Sequence, residues 1–303
     1  MLTLGIETSC DDTSAAIIKN DNTLLSNIIS SQDLVHKPFG GIVPELASRR
    51  HMECITRVVD QALSTAETSL ADIDLISVTR GPGLIGSLLV GFSYAKALSY
   101  TLNKPYIGVD HMMGHILSVF LEKDTPDFPY IALIVSGGTT ALYRVDGFMN
   151  CLLLGRTRDD AAGEAFDKVA RQLGLGYPGG PIISRHACKG NPDGLIFPRS
   201  WLEEGSYDFS FSGLKTAVMN HCNTYKQKHG VLDIDTICAS FQEAVIEVLV
   251  GKSVRAARQQ GLSRIVVGGG VSANERLREQ MAGRCAQENI DLFLSAPENC
   301  TDN

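Results

Sequence analysis

The sequence predicts a mixed α/β protein made of two similar lobes. Three observations support this. Apolar strand-like runs and helical stretches alternate along the 303 residues. A strand–turn–strand opening occurs twice, as "TLGIETSCDDTSAAII" (3–18) and "YIALIVSGGTTALYRV" (130–145), each followed by further strand and then helices. Several apolar runs end in turns rich in Gly, Ser and Thr, the punctuation of an α/β chain. A chain of this length with 44% hydrophobic residues can bury more than one core.

Residues 2–7, 13–18 and 23–30 form a three-stranded meander broken by the polar turns "TSCDD" and "KNDN". Pro44 opens the helix "PELASRRHMECITRVVDQAL", since proline lacks the amide that the first helical turn leaves unused. "LISVTR" (75–80) is a buried strand ending at Gly81-Pro82-Gly83, with a helix from about Gly86 to Leu102. "YIGVD" (106–110) leads into "HMMGH" (111–115). The polar, proline-containing "EKDTPDFP" (122–129) is a crossing between lobes. The expected organisation is a first lobe over 1–108, a histidine helix and crossing over 109–129, and a second lobe over 130–303. Within the second lobe, "RIVVGGGVSANERL" (264–277) is strand, glycine loop and a helix capped by Ser272 or Asn274; "DLFLSAP" (291–297) is a last strand.

Composition removes several function classes. No apolar run reaches 18 residues, so no membrane span or membrane partner is expected. The opening "MLTLGIE" lacks the basic, apolar and cleavage segments of a signal peptide. The eight cysteines are scattered without C-x-x-C spacing, which suits reduced thiols in the cytoplasm. A net charge of −7 argues against a large basic nucleic-acid surface, although Arg49-Arg50-His51 and Arg255 with Arg258 are candidate local patches.

Four strand-end turns, Thr8–Thr13, Gly81–Gly86, Ser136–Thr140 and Gly268–Asn274, are built from small residues that let backbone N–H groups approach an anion. None matches G-x-x-x-x-G-K-[ST] or G-x-G-x-x-G, and each alone reads as a tight turn. Four in a duplicated chain point to a nucleotide held in the cleft between lobes, the arrangement of the actin, hexokinase and heat-shock-chaperone ATPase superfamily. In the same setting Asp11 and Asp12 read either as turn carboxylates or as groups that orient a nucleophile or a second cation. His111 and His115, at i and i+4, share one helix face and can reach one ion, but Met112 stands where H-E-x-x-H peptidases need a glutamate base.

The chain resembles the bacterial TsaD family over essentially its whole length. The segments that carry the resemblance are "GIETSCDDTSAAI", "FGGIVPELASRRH", "TRGPGLIGSLLVG", "GVDHMMGH", "VSGGTT", "DDAAGEAFDKVARQLGLGYPGGP", "FSFSGLKTAV" and "GGGVSAN". The resemblance implies transfer of a threonylcarbamoyl group from threonylcarbamoyl-adenylate to N6 of adenosine 37 in tRNAs reading ANN codons, and TsaB-like and TsaE-like partners. It also implies one divalent metal per subunit, Fe2+ or Zn2+, on His111, His115 and Asp302. An adenylate or ATP-type nucleotide would lie on Ile134, Val135, Ser136, Gly137 and Gly138, with Asp167, Gly180 and Asn274.

Three positions depart from the family pattern. Thr139 stands where a histidine usually follows "VSGG", Ser184 stands where an aspartate is common, and the helix that usually follows "TDN" is absent. The rival functions are a metallopeptidase, a small-molecule kinase of the same superfold, and a non-catalytic scaffold.

Overall fold

Leu4 and Ile6, alternate residues of the opening strand, are 0% and 3% exposed, so one face of that strand is built into a core from the first turn of the chain. The computed structural model of the protein describes residues 1–20, 22–203, 205–296 and 299–300. Two compact units divide the chain, Met1–Leu121 and one that begins at Glu122. Each closes its own hydrophobic core.

In the first unit, β1 (Leu2–Glu7), β2 (Thr13–Lys19) and β3 (Thr23–Ser30) form an antiparallel meander. A four-residue α1 (Asp33–His36) precedes α2 (Pro44–Thr65), which has the expected proline in its first turn. β4 (Leu75–Gly81) and β5 (Tyr106–Asp110) add on the other side of β1, both parallel. Between them runs α3 (Ile85–Leu102), which stops at Asn103 in the left-handed conformation. The sheet order is β3-β2-β1-β4-β5. α2 packs on β2 and β3 through Cys54, Ile55, Val58, Val59 and Ala62, the inward stripe of a helix whose other face is charged. The histidine helix, α4 (His111–Leu117), starts directly after β5.

The second unit repeats this plan. β6 (Tyr130–Val135), β7 (Thr140–Gly147) and β8 (Asn150–Arg156) form a second antiparallel meander. They are followed by α5 (Ala162–Gln172), α6 (Gly179–Ala187), α7 (Ser212–His229) and α8 (Ile234–Gln259). Then β9 (Arg264–Gly268), α9 (Glu275–Gln287) and β10 (Asp291–Leu294) complete the order β10-β9-β6-β7-β8. β9 and β10 are parallel to β6 as β4 and β5 are to β1, so the connectivity of the first sheet recurs strand for strand. All six residues of β6 are buried, which a central strand covered on both faces requires. α8, buried along most of its 26 residues, packs against β6, α6 and α9.

The last strand is shorter than the 291–297 expected. Its pairing ends at Leu294↔Val267, because β9 leaves the ladder where Gly269 turns the chain at φ +85°. Among the described residues no helix is long and apolar enough to cross a membrane.

Candidate functional site

α4 begins where β5 ends because Asp110 caps it, its carboxylate accepting from the amides of Met112 (2.9 Å) and Met113 (3.2 Å). The cap places His111 in the first turn and His115 one turn later, with ring centroids 4.7 Å apart. His115 is buried. His111 Nδ1 lies 3.1 Å from Glu7 Oε2 and 3.3 Å from Ser9 Oγ, at the mouth of the β1–β2 turn. Thr79 Oγ1 donates to the same Glu7 oxygen at 2.6 Å, and the Ser9 amide donates to the other. Burial pushes the Glu7 carboxyl up, but His111, Thr79 and Ser9 outweigh it and hold it below the usual carboxylate range.

Two imidazoles on one face, one backed by a carboxylate, form a donor set that fits a borderline divalent ion such as zinc or iron. Among the described residues no group of three or more His, Cys, Asp or Glu side chains is assembled as a metal site. The third expected ligand, Asp302, lies outside the described residues.

The second unit holds a cavity of about 490 Å³, inside the size range of small-molecule sites. Four of the expected binding residues line it: Gly137, Asp167, Gly180 and Asn274. Helix starts and the glycine turn converge there. The turn after β6 closes on itself, the Ser136 amide donating to Thr139 O at 2.8 Å. The amides of Gly137 and Gly138 have no hydrogen-bond partner among the described residues. Neither glycine has a left-handed φ, and a Cβ at either would meet open space. Their smallness therefore serves access to the turn and not its conformation. Ser184, at the position where the family pattern has aspartate, also lines the cavity.

Asp167 Oδ1 accepts from the Gly179 amide at 2.7 Å, tying α5 to the start of α6. Asn274 is the cap of α9: its Oδ1 accepts from the Leu277 amide at 3.0 Å, and its Nδ2 donates to Gln242 Oε1 of α8 at 2.8 Å. That double engagement fixes which end of the carboxamide faces which neighbour. Ile134 and Val135 are fully buried β6 residues and reach the site only through the backbone they deliver. Ser136, 4% exposed, accepts at its carbonyl from the Gly163 amide at 3.2 Å.

Asp11 and Asp12 sit in the first unit's β1–β2 turn. Asp12 Oδ1 accepts from the Gln32 amide at 3.1 Å, and burial, with Asp11 adding like charge, pushes its carboxyl up. The candidate basic patches are corrected. His51 is fully buried, its Nδ1 2.7 Å from Thr13 Oγ1 and its Nε2 3.1 Å from Cys10 O. Arg49 pairs with Glu45 at 2.7 Å, Arg50 with Glu53 at 2.9 Å and Arg258 with Glu288 at 3.6 Å. Arg255 folds over the Tyr207 ring at 5.4 Å. Arg49 and Arg50 find carboxylates one helical turn away, whereas Arg258 and Arg255 find partners distant in sequence.

Several contributors were invisible to sequence reasoning. Glu7 is the last residue of a strand, and nothing in spacing links it to a histidine 104 positions on. Gly163 stands where any Cβ would come within 2.6 Å of Ser136 O and 2.8 Å of Gly137 Cα, so α5 can press on the glycine turn only as glycine. Lys168 and Lys215 both close on Asp160, at 2.6 and 2.7 Å; burial raises that carboxyl and the two ammonium groups bring it below its usual range. Lys168 is thus part of an ion network and not a plain solvated face.

A mixed five-stranded sheet, built twice with one connectivity and with its small-residue turns at the strand ends, defines the actin, hexokinase and heat-shock-chaperone ATPase class of fold. Solved structures agree: HypF of T. kodakarensis superposes at TM-score 0.67 over 100% of this chain and 46% of that one, with 16% identity. Full-length HypF in its phosphate- and nucleotide-bound form gives 0.64 over 99% and 53%, with 14% identity. Residues 23–303 match the TsaD family, described as tRNA N6-adenosine threonylcarbamoyltransferase. Relatives carrying that name are 56% identical in Desulfotalea psychrophila (100% of this chain, 89% of the relative) and 49% identical in Staphylococcus carnosus (100% and 88%). The chain belongs to the TsaD family, whose members are tRNA-modifying acyltransferases.

Proposed function

We propose that the chain transfers the threonylcarbamoyl group of threonylcarbamoyl-adenylate to N6 of adenosine 37 in tRNAs reading ANN codons, with AMP leaving. The observation that carries this reading is the β6–β7 turn, whose Gly137 and Gly138 amides have no partner among the described residues and whose Gly137 lines a nucleotide-sized cavity with Asp167, Gly180 and Asn274. The adenylate is a mixed carbamic–phosphoric anhydride, so its carbonyl is already activated. The acceptor amine is a weak nucleophile because its lone pair is delocalised into the purine. Catalysis then rests on positioning and on a place for growing negative charge.

The Gly137 and Gly138 amides donate to the phosphate as charge develops on departing AMP. Asp167 and Gly180, with Asn274 opposite, hold the nucleoside end. Asp11 and Asp12, in the turn that also carries Ser9, are the candidates to orient the incoming amine. His111 and His115, with Asp302, would hold iron or zinc, which when bound supplies a Lewis acid and a template. The proposed setting is the cytoplasm, with TsaB-like and TsaE-like proteins as partners.

The peptidase alternative has less to support it. Met112 replaces the glutamate base, and Glu7 stands on the Nδ1 side of His111. The test is transfer of labelled threonine from adenylate to unmodified tRNA, with metal content measured on the same samples. Wild type forms labelled tRNA; His111→Ala and His115→Ala lose bound metal, and turnover falls by roughly two orders of magnitude or more. Full turnover by either variant, or hydrolysis of a glycoprotein without tRNA, would overturn the assignment.

A further inference from the structure

We propose that Glu7 is a positioning residue for His111, holding its imidazole as the Nδ1–H tautomer so that the ring's lone pair sits on Nε2. This inference rests on the reading of His111 and His115 as metal ligands. Its grounds are the contacts of one side chain. Glu7 closes β1, and its carboxylate is nearly enclosed, with a side-chain exposure of 16%; that of His111 is 13%. An ionised carboxylate has only acceptors to offer. Two donors meet it, Ser9 N on one oxygen and Thr79 Oγ1 (2.6 Å) on the other, and His111 Nδ1 lies 3.1 Å from that second oxygen.

Since Glu7 can only accept, its 3.1 Å contact is a hydrogen bond only when Nδ1 of His111 carries the proton. Ser9 Oγ, 3.3 Å from the same nitrogen, is the longer contact, so Glu7 selects the protonated nitrogen before any ion arrives. Free imidazole has no such constraint, and an Nε2–H tautomer would have to move its proton to coordinate through Nε2. A merely structural Glu7 would show itself only as lost stability in its variants, with metal affinity unchanged once the protein is folded. The proposal differs in requiring one tautomer. Carboxylates behind ligating histidines change metal affinity by about 10–100-fold when removed.

Two measurements on the full chain test this. The first is the 15N-imidazole NMR spectrum of metal-free protein, followed to alkaline pH until the spectrum itself shows the His111 ring neutral. It should show His111 as Nδ1–H in wild type, and as a mixture or Nε2–H in Glu7→Ala. The second is Zn2+ affinity by competition with a chromophoric chelator, which should fall about 10–100-fold in Glu7→Ala. Glu7→Gln should fall between, because its amide oxygen still accepts from Nδ1 while its NH2 opposes the Ser9 amide. Glu7→Gln is near-isosteric, so it decides the matter if Glu7→Ala does not fold. His111→Ala calibrates the assay. If wild type binds no Zn2+, or His111→Ala binds it as tightly, the metal-ligand reading fails and the proposal with it. If His111→Ala loses the ion while Glu7→Ala and Glu7→Gln keep wild-type affinity and tautomer, the proposal alone is overturned.

Discussion

Gly137 and Gly163 lie within a few ångströms of each other yet require glycine for opposite reasons. At Gly137 a side chain has room and no conformational penalty, and it would occupy the cavity beside an amide that has no partner among the described residues. Gly137→Val should therefore weaken adenylate binding by about tenfold or more, roughly 1.4 kcal/mol, and leave the melting temperature within a few degrees of wild type. At Gly163 a methyl group would meet the Ser136–Gly137 backbone, so the turn or α5 must shift. Gly163→Ala should cost about 1–3 kcal/mol of stability, despite the better helix propensity of alanine. Calorimetric titration with a non-hydrolysable adenylate and a melting curve on each variant check both halves. A Gly137→Val protein that melts early yet binds normally would make that turn a purely structural one.

At the scale of elements, α8 is the spine of the second unit and contains a fully buried lysine. Lys252 donates to the carbonyl of Asp208 and lies over the Phe209 ring at 5.4 Å. Burial, with Arg255 adding like charge, lowers its pKa to about 8. The unfolded chain holds that proton up to its ordinary value of 10.5. Between pH 8 and 10.5 the unfolded state binds more protons, so this group makes stability rise with pH across that window. Below pH 8 the full cost of burying the charge applies, on the order of 3 kcal/mol. Lys252→Met should remove that rising limb. Urea melts of wild type and variant at about pH 7.5, 8.5 and 9.5 measure it. Parallel pH profiles would mean that the lysine is not titrating there. α8 also reaches the site through Gln242, which orients the Asn274 carboxamide at the start of α9.

For the whole molecule the governing quantities are a net charge of −7 and the fate of its cations. Arg49, Arg50 and Arg258 are paired with carboxylates, and Arg255 is turned onto an aromatic ring. An acidic protein whose two candidate arginine patches are already engaged gives a polyanion few contacts there. The isolated chain should bind tRNA weakly. Its affinity should fall with salt by about 0.7–0.9 in log K per log salt for each phosphate contacted, and partner proteins should strengthen it. Filter binding between about 50 and 200 mM salt checks this. Tight binding by the chain alone that is insensitive to salt would overturn it.

What the sequence determined by itself was what short-range physics writes into it: the strand–turn–strand openings, Pro44 at a helix start, a helix cap at Ser272 or Asn274, and small residues where strands end. Burial of alternate residues and helix capping act over a few positions, so "TLGIETSCDDTSAAII" and "YIALIVSGGTTALYRV" announced two sheets of one design. The histidine pair was legible because i and i+4 share a helix face. What only the tertiary structure decided depends on strand order. β1 lies beside β4, and β4 beside β5, so Glu7, Thr79 and His111 meet at one sheet end although the chain separates the first and last by 104 positions. The same physics buried His51 against Thr13, set Gly163 against Ser136, and joined Gln242 to Asn274. Contacts of that kind follow from which elements pack together, a global choice made by the cores of the two units, and no local spacing records it.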